Sequence, residues 1–187
     1  MFNSNFFNFF KYKLNYIVLL SKYSINFKGM KMKKSDVLEQ LRLAKTAHIR
    51  WVQRAKLLIS GFAIEEDAIP VNCTDCHFGQ WFYSDGQVLS GMSTNPIECM
   101  KKIEELHFKL HHEYLSIFKI YYVVRKNSFL NNFFNFDTRR NPNDAEKELA
   151  KNYYENMDKI SNSLLNEIGL LERRIIAISD KVIEELI

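Results

Sequence analysis

The stretch SDVLEQLRLAKTAHIRWVQRAKLL, residues 35–58, decides how the chain can fold. Its apolar side chains recur at alternating intervals of four and three residues, which is typical of the buried face of a helix in a bundle. His48 lies on this face and Trp51 follows three residues later. Ser35 is a suitable N-cap for the helix, and Gly61 is a suitable end. The predicted face consists of Val37, Leu41, Ala44, His48, Trp51, Ala55 and Leu58.

Two later segments have the same helical spacing. One begins after Pro96, since proline is well tolerated at the first helical position, and it carries His107 and His111 one turn apart. The other begins at Asn143, which forms a capping-box-like start with Glu146, and its pattern runs to the C-terminus. The two faces consist of Met100, Ile103, His107, Leu110, Tyr114, Ile117 and Tyr121, and of Tyr153, Met157, Ile160, Leu164, Ile168, Leu171, Ile175, Ile178 and Val182.

These patterns predict an all-α fold, a four-helix-bundle-like domain with an additional long C-terminal helix. We expect the bundle domain over residues 32–124, a loop over 125–142 and the long helix over 143–187. Glycine and proline interrupt residues 62–96, where we expect one or two short helices, one of them near 76–83. The last helix either packs on the bundle or pairs with another chain.

The N-terminal residues 1–31 differ from the rest in composition. Residues 1–29 contain four lysines and no Asp or Glu, and they resemble translated AT-rich DNA upstream of a start at Met30 or Met32. We expect a mis-assigned leader; a disordered leader and a weak amphipathic membrane tether are the alternatives. Because these lysines account for the formal net charge of +4, the remainder is neutral and no nucleic-acid partner is predicted. No apolar run is long enough to span a membrane.

Four side chains together provide a complete donor set for tetrahedral zinc: His48, Cys76, His107 and His111. His107 and His111 stand at i and i+4, so they point to the same side of their helix. A thiolate combined with imidazoles selects zinc over calcium or magnesium, which prefer oxygen ligands. Each residue also has a simpler interpretation, since buried histidines are often hydrogen-bonded core residues and helical histidine pairs also occur on surfaces.

The residues after Cys76 are expected to complete the surroundings of this site. Gly79 would allow a tight backbone turn beside the metal. Trp81, Phe82 and Tyr83 would cover the metal and exclude water, although each of them taken singly is an ordinary core residue.

The remaining cysteines and histidines leave several alternatives. Cys73 and Cys76 form a Cys-x-x-Cys pair, but a four-cysteine zinc site is excluded because Cys99 stands alone, and a thioredoxin-like motif lacks a βαβ pattern. Cys73 could serve as a resolving thiol for an oxidised Cys76, whereas Cys99 is expected to be a buried thiol. His112 should face away from the metal, and both His77 and His112 are expected at the surface or just outside the ligands. Three cysteines without disulfide spacing favour a cytoplasmic location.

These motifs together resemble the chemoreceptor zinc-binding domain family, often called CZB. The resemblance spans roughly residues 35–122, and in this family three histidines and one cysteine bind zinc inside a small helical bundle. It implies a zinc site in this chain formed by His48, Cys76, His107 and His111. The matching residues are His48 followed by Trp51, Cys76-x-Phe78-Gly79-x-Trp81-Phe82, and His107-x-x-x-His111.

The resemblance implies a zinc-binding sensory or regulatory module of bacterial signal transduction, of the chemotaxis type, that responds to zinc or to hypochlorous acid. The expected partners are a second copy of the chain and a chemotaxis or cyclic-di-GMP signalling protein. The alternative function is a protein-interaction domain in which zinc is purely structural. We expect no enzyme, because the pattern supplies no general base beside the metal, no Gly-rich phosphate loop and no bridging carboxylates for a di-iron centre.

Overall fold

The computed structural model describes residues 33–64, 70–91, 97–122 and 139–185, all within the unit Met32–Ile187. Within these ranges the prediction of an all-α fold is confirmed, and the one strand-like pairing is an isolated antiparallel bridge between Tyr122 and Arg139. The predicted leader, residues 1–31, and most of the predicted loop, residues 125–142, lie outside the described residues. The helices are α1 (Lys34–Ile59), α2 (His77–Phe82), a 3-10 helix (Asp85–Gly91), α3 (Ile97–Tyr121), α4 (Asp144–Ala177) and α5 (Asp180–Glu185).

The long helices α1 and α3 both pack against the third long helix, α4. Helix α4 approaches α3 most extensively and α1 next, whereas the backbones of α1 and α3 approach each other at few points. Helix α2 lies against α1, and the 3-10 helix lies against α2 and α3. The long C-terminal helix therefore packs on the bundle of its own chain. Within the described ranges, no helix combines the length and the apolar character that crossing a bilayer requires.

The apolar faces predicted for α1 and α3 are buried along their whole length. Helix α4 adds a row of fully buried aliphatic and thioether side chains, and burying each such side chain contributes about 1.5–3 kcal/mol. The histidines of α1 and α3 lie on the same faces as their apolar neighbours, which places imidazoles inside the core. The fully buried row on α4 consists of Met157, Leu164, Ile168, Leu171 and Ile175.

The helix starts follow the expected capping chemistry with one shift. At the start of α4, Asn143 Oδ1 accepts the Glu146 N–H (2.9 Å) and Glu146 Oε2 accepts the Asn143 N–H (2.9 Å), so this capping box is confirmed. Helix α1 is capped at Lys33 rather than at Ser35. The earlier start is stabilised because Asp36 Oδ2 accepts the backbone N–H of Lys33 at 3.0 Å.

The end of α1 at Gly61 also follows the prediction. Gly61 has a φ of 92°, which glycine adopts without the penalty that a side chain would bring. The N–H of Phe62 donates to the carbonyl of Leu57 (3.1 Å), and that of Gly61 to the carbonyl of Leu58 (3.0 Å). This Schellman arrangement satisfies the last carbonyls of the helix.

The C-terminal helix is shorter than its apolar pattern predicts. Helix α4 ends at Ala177, and Ile178 is extended, with ψ of 142°. The Lys34 side chain donates to the carbonyls of Ile176 (2.9 Å) and Ile178 (2.6 Å), which satisfies groups that would otherwise continue the helix. Val182, expected on the buried face, is 40% exposed. A single helix over 143–187 was therefore a wrong prediction.

Candidate metal centre

Four donor side chains from three separate helices meet in the interior of the bundle. His48 projects from the middle of α1, His107 and His111 project from the middle of α3, and Cys76 is the N-cap of α2. One donor atom of each lies within 4.8 Å of those of the other three. The structure thus brings together all four residues that the sequence singled out.

The distances between the donor atoms have the scale of a tetrahedral metal site. His107 Nε2 lies 3.2 Å from Cys76 Sγ and 3.1 Å from His111 Nε2. Zinc bonds of about 2.0–2.1 Å to nitrogen and about 2.3 Å to sulfur place tetrahedral nitrogens about 3.3 Å apart and sulfur about 3.6 Å from nitrogen. These two observed separations are slightly smaller than the tetrahedral values, and the remaining ones are at most 4.8 Å, so the four donors need only small adjustments to surround one ion.

Backbone carbonyls orient two of the three imidazoles. His48 Nδ1 donates to the carbonyl of Ala44 (2.7 Å), and His111 Nδ1 donates to the carbonyl of Val71 (3.0 Å). A carbonyl oxygen can only accept, so the proton resides on Nδ1 and the Nε2 lone pair faces the centre of the group. The Nδ1 atom of His107 is buried without a hydrogen-bond partner in the part of the chain that the structure describes.

The electrostatic environment favours neutral donors. Burial lowers the pKa of His48 to about 4 and that of His111 to about 3, against the raising effect of their backbone hydrogen bonds. Burial and the other two imidazoles lower the pKa of His107 well below its usual value. Burial raises the pKa of the Cys76 thiol to about 11. A bound divalent cation would displace the thiol proton and supply positive charge to this pocket of neutral donors.

The chemistry of the donor set fits zinc. The group contains three nitrogens and one sulfur and no carboxylate. Calcium and magnesium prefer oxygen ligands, whereas a tetrahedral set of nitrogen and sulfur is characteristic of zinc. His48, Cys76, His107 and His111 would hold the ion, and no further protein ligand would be needed.

Cys76 is held in place by the first turn of α2. Its Sγ accepts the backbone N–H of Gly79 at 3.1 Å. A Cβ on Gly79 would lie 1.7 Å from the carbonyl oxygen of Cys73, so glycine is required by the close approach of the two backbones. The predicted reason, a tight turn at Gly79, was wrong, because Gly79 is inside the helix.

The aromatic cover differs from the prediction. Phe78 packs edge-on against His48 and His107, with ring centroids 5.3 and 5.0 Å apart. Trp51 packs against His111, with ring centroids 4.1 Å apart.

The aromatic residues that were predicted to cover the metal lie one layer further out. The rings of Trp81 and Phe82 pack against Phe78 at 5.9 and 5.4 Å, and Tyr83 packs against Phe82 at 5.3 Å. Phe78 and Trp51 therefore form the inner layer and the predicted aromatics support it.

The other cysteines and histidines lie outside the group of four. His77 and His112 are exposed, as expected from their positions beside proposed ligands, and Cys99 is buried near the start of α3. Cys73 is half-buried and lies one turn before Cys76. Its backbone carbonyl lies 3.4 Å from Cys76 Sγ.

The carbonyls behind the imidazoles were not found from the sequence. Ala44 precedes His48 by one helical turn, so the helix itself places this carbonyl, and the spacing could have indicated it. Val71 is separated from His111 by 40 residues, and its carbonyl carries no side-chain pattern. This contact follows only from the path of the chain between α1 and α2.

In a comparison with protein families, residues 48–117 match the family described as the chemoreceptor zinc-binding domain. The matched segment begins at His48 and contains Cys76, His107 and His111. No curated protein and no solved structure matches the chain.

Proposed function

Since residues 48–117 form a domain of the chemoreceptor zinc-binding family, we propose that the chain is a zinc-binding sensory module of bacterial signal transduction. The observation that carries the proposal is the convergence of three imidazole nitrogens and one thiol sulfur within 4.8 Å of one another. Burying several neutral imidazole nitrogens and a sulfur side by side costs free energy unless a cation lies between them and binds their lone pairs. A single zinc ion satisfies all four donors.

We propose that the site responds to zinc supply and to oxidants such as hypochlorous acid. The three histidines are at most 3% exposed, whereas Cys76 is only half-buried. The sulfur is therefore the donor that a small oxidant can reach. Oxidation of a thiolate to sulfenic acid removes a zinc ligand and can be reversed by reduction.

The packing of the long helices supports a route from the site to the rest of the bundle. The donors join α1, α2 and α3, and both α1 and α3 pack on α4. The backbones of α1 and α3 approach each other at few points, and Trp51 of α1 packs against His111 of α3 beside the site. The metal would thus add a bonded link between these two helices and fix their relative position. Losing a donor would loosen this junction and alter the surface that α4 presents to a partner.

A structural role for zinc is the second candidate. The complete burial of the three imidazoles and the absence of an open coordination position favour a permanent metal. The two functions differ in one property, which is whether Cys76 reacts with mild oxidant while the fold remains intact.

The test is zinc content and zinc release in the full chain. We expect one zinc per chain, released as hypochlorous acid is added in stoichiometric steps and recovered after reduction. Cys76→Ser should weaken zinc binding by more than the ~10–100-fold that loss of a group behind a ligand typically costs. Zinc that stays bound through the titration would support the structural role, and absence of zinc would refute both.

We further propose that the module acts in the cytoplasm, as a homodimer, on a chemotaxis or cyclic-di-GMP signalling protein, and that it is not itself an enzyme. Four protein donors leave no position on the ion for a substrate or water. Light scattering of the zinc-loaded chain tests the dimer, and a monomer at all accessible concentrations would contradict it.

A further inference from the structure

Cys73 has an unusual position for a thiol that is not a donor. The turn from Asn72 to Asp75, closed by a 3.2 Å hydrogen bond between the Asp75 N–H and the Asn72 carbonyl, leads from Cys73 directly into the N-cap of α2. The Cys76 sulfur lies 3.4 Å from the Cys73 carbonyl. The two cysteines are thus separated by a single closed turn.

Close packing keeps this turn in place. The Cys73 carbonyl lies so near the first turn of α2 that a Cβ on Gly79 would approach it to 1.7 Å. Burial raises the pKa of both Cys73 and Tyr83, and the two side chains are near enough that Tyr83 lowers the pKa of Cys73 and Cys73 raises that of Tyr83. The Tyr83 hydroxyl has no hydrogen bond of regular geometry in the described residues. Cys73 therefore stays beside Cys76 instead of turning into solvent.

Cys73 is also available while a metal is bound. It is not among the four residues whose donor atoms converge, and it forms no disulfide. Cys99, the third cysteine, is 3% exposed and lies on α3, beyond the 3-10 helix. Of the two, only Cys73 is placed to reach the Cys76 sulfur by a small movement of one turn.

We propose that Cys73 is the resolving thiol of the site, which captures oxidised Cys76 as an intramolecular Cys73–Cys76 disulfide. This inference rests on the proposed function, because it requires that an oxidant reach Cys76. It adds a second, covalent state to the sensor and protects Cys76 from irreversible oxidation.

The chemistry balances with a two-electron oxidant, either hypochlorous acid or a hydroperoxide. With hydrogen peroxide the Cys76 thiolate attacks an oxygen, sulfenic acid forms and hydroxide leaves. With hypochlorous acid the thiolate attacks chlorine and hydroxide leaves, and water then hydrolyses the S–Cl bond to give sulfenic acid, a proton and chloride. The Cys73 thiol then attacks the sulfenic sulfur, so that an S–S bond forms, the S–O bond breaks and the oxygen leaves as water. A low-molecular-weight dithiol returns both cysteines to thiols by exchange.

The spacing favours this ring closure. A cross-link between residues three apart closes a very short loop, so the entropy cost of bringing the thiols together is small. A disulfide requires Cα atoms about 4.4–6.8 Å apart, and the Cys76 sulfur already lies 3.4 Å from the backbone carbonyl oxygen of Cys73. The change needed is therefore a rotation of the two side chains with an adjustment of the chain between them.

The test uses the full, zinc-loaded chain and three variants: Cys73→Ser, Cys73→Ala and, as a matched control, Cys99→Ala. Each protein is titrated with hypochlorous acid while zinc release is followed with a chromogenic chelator, and circular dichroism of each variant confirms the helical fold. Free thiols are then alkylated. Trypsin alone leaves all three cysteines in one peptide, because no Lys or Arg lies between residues 57 and 100, so chymotrypsin is added to separate Cys99.

We expect the wild type and Cys99→Ala to release zinc, to form a Cys73–Cys76 disulfide and to bind zinc again after treatment with dithiothreitol. Both Cys73 variants should release zinc equally but accumulate sulfenic and then sulfinic acid at Cys76, with loss of the recovery. Zinc release without the disulfide, or with full recovery in the Cys73 variants, would overturn the role of Cys73 while leaving the sensor. Failure to bind or release zinc would overturn the proposed function itself, and a disulfide that includes Cys99 would also overturn this inference.

Discussion

The buried faces of α3 and α4 have the same helical spacing but opposite chemistry. In the middle of α3, two imidazoles occupy core positions, and burial holds them in the neutral form. The face of α4 is filled by aliphatic and thioether side chains, with Ser161 as its one buried polar residue in the described part of the helix. The first region buries polar groups that cost free energy without a partner ion, whereas the second is stabilised by burial alone. One helical pattern thus produces a core with a metal-dependent half and a metal-independent half.

The largest effect on the difference between the two halves is expected when a metal donor is removed. His107→Ala eliminates the nitrogen that lies within 3.2 Å of both Cys76 Sγ and His111 Nε2. We expect zinc-dependent stabilisation to disappear, which amounts to about 4 kcal/mol when free zinc is 1,000-fold above its Kd. Urea unfolding with and without a chelator measures the difference.

The matched control for this variant is His112→Ala, which alters an exposed histidine on the same helix. Its stability should change by no more than about 0.5 kcal/mol and its response to chelator should match the wild type. A zinc effect that persists in His107→Ala would show that the four donors do not act together.

The apolar half is tested by Ile175→Ala. Ile175 is fully buried near the end of α4, where Lys34 of α1 donates to the next carbonyl along the chain. His48 lies 14 residues after Lys34, which is about 21 Å along the helix axis. The cavity should cost about 2–5 kcal/mol equally with zinc and with chelator. A change in zinc stoichiometry, measured by metal analysis of the folded protein, would contradict the separation of the two halves.

The two halves also differ in how far the sequence could predict them. Every residue predicted on the faces of α1 and α3 is buried, because burial imposes a helical period on the apolar residues of a face. His48 and His107 lie on those faces, His111 follows His107 at i+4, and their convergence follows from packing α1 near α3. The helices of the bundle could thus be predicted from local patterns that repeat over many residues.

The exceptions depend on contacts between distant parts of the chain. The break after Ala177 is stabilised by Lys34, which is 142 residues away from Ile176, and the apolar pattern near residue 177 gives no indication of it. The carbonyl of Val71 behind His111 and the backbone of Cys73 against Gly79 are of the same kind. Backbone contacts of this sort leave no side-chain signature, so only the fold reveals them.

Two glycine substitutions, one beside the metal donors and one on α4, are expected to change stability by smaller amounts. Gly79→Ala would place a Cβ 1.7 Å from the Cys73 carbonyl oxygen, so the turn that carries Cys76 must shift. We expect a loss of about 1–3 kcal/mol, typical of overpacking, together with weaker zinc binding in a competition titration. Gly169→Ala on α4 meets no atom closer than 3.6 Å and should stabilise the helix by about 0.5–1 kcal/mol without altering zinc affinity. Equal zinc affinities in the two variants would refute the role assigned to the Cys73–Gly79 contact.

The smallest effect is expected at the ion pairs that join α1 to α4. Glu172 pairs with Lys45 and, at 3.3 Å, with Arg42. The hydrogen bond from Lys45, reinforced by the charges of Lys45 and Arg42, lowers the pKa of this carboxyl. Because the folded pKa lies below the unfolded value of about 4.3, the contribution is complete above that pH and is lost as the pH falls through the lowered pKa.

Glu172→Gln should therefore reduce stability near pH 7 by no more than about 1 kcal/mol, and the difference from the wild type should vanish in acid. Urea unfolding in chelator across this range isolates the ion pairs from the metal, and Glu155→Gln, an exposed glutamate on the same helix, controls for the loss of charge. A difference that persists below the lowered pKa would mean that the substitution acts through packing. A larger effect with zinc than with chelator would mean that the junction of α1 with α4 senses the metal, which is what a signal passing from the site to α4 requires.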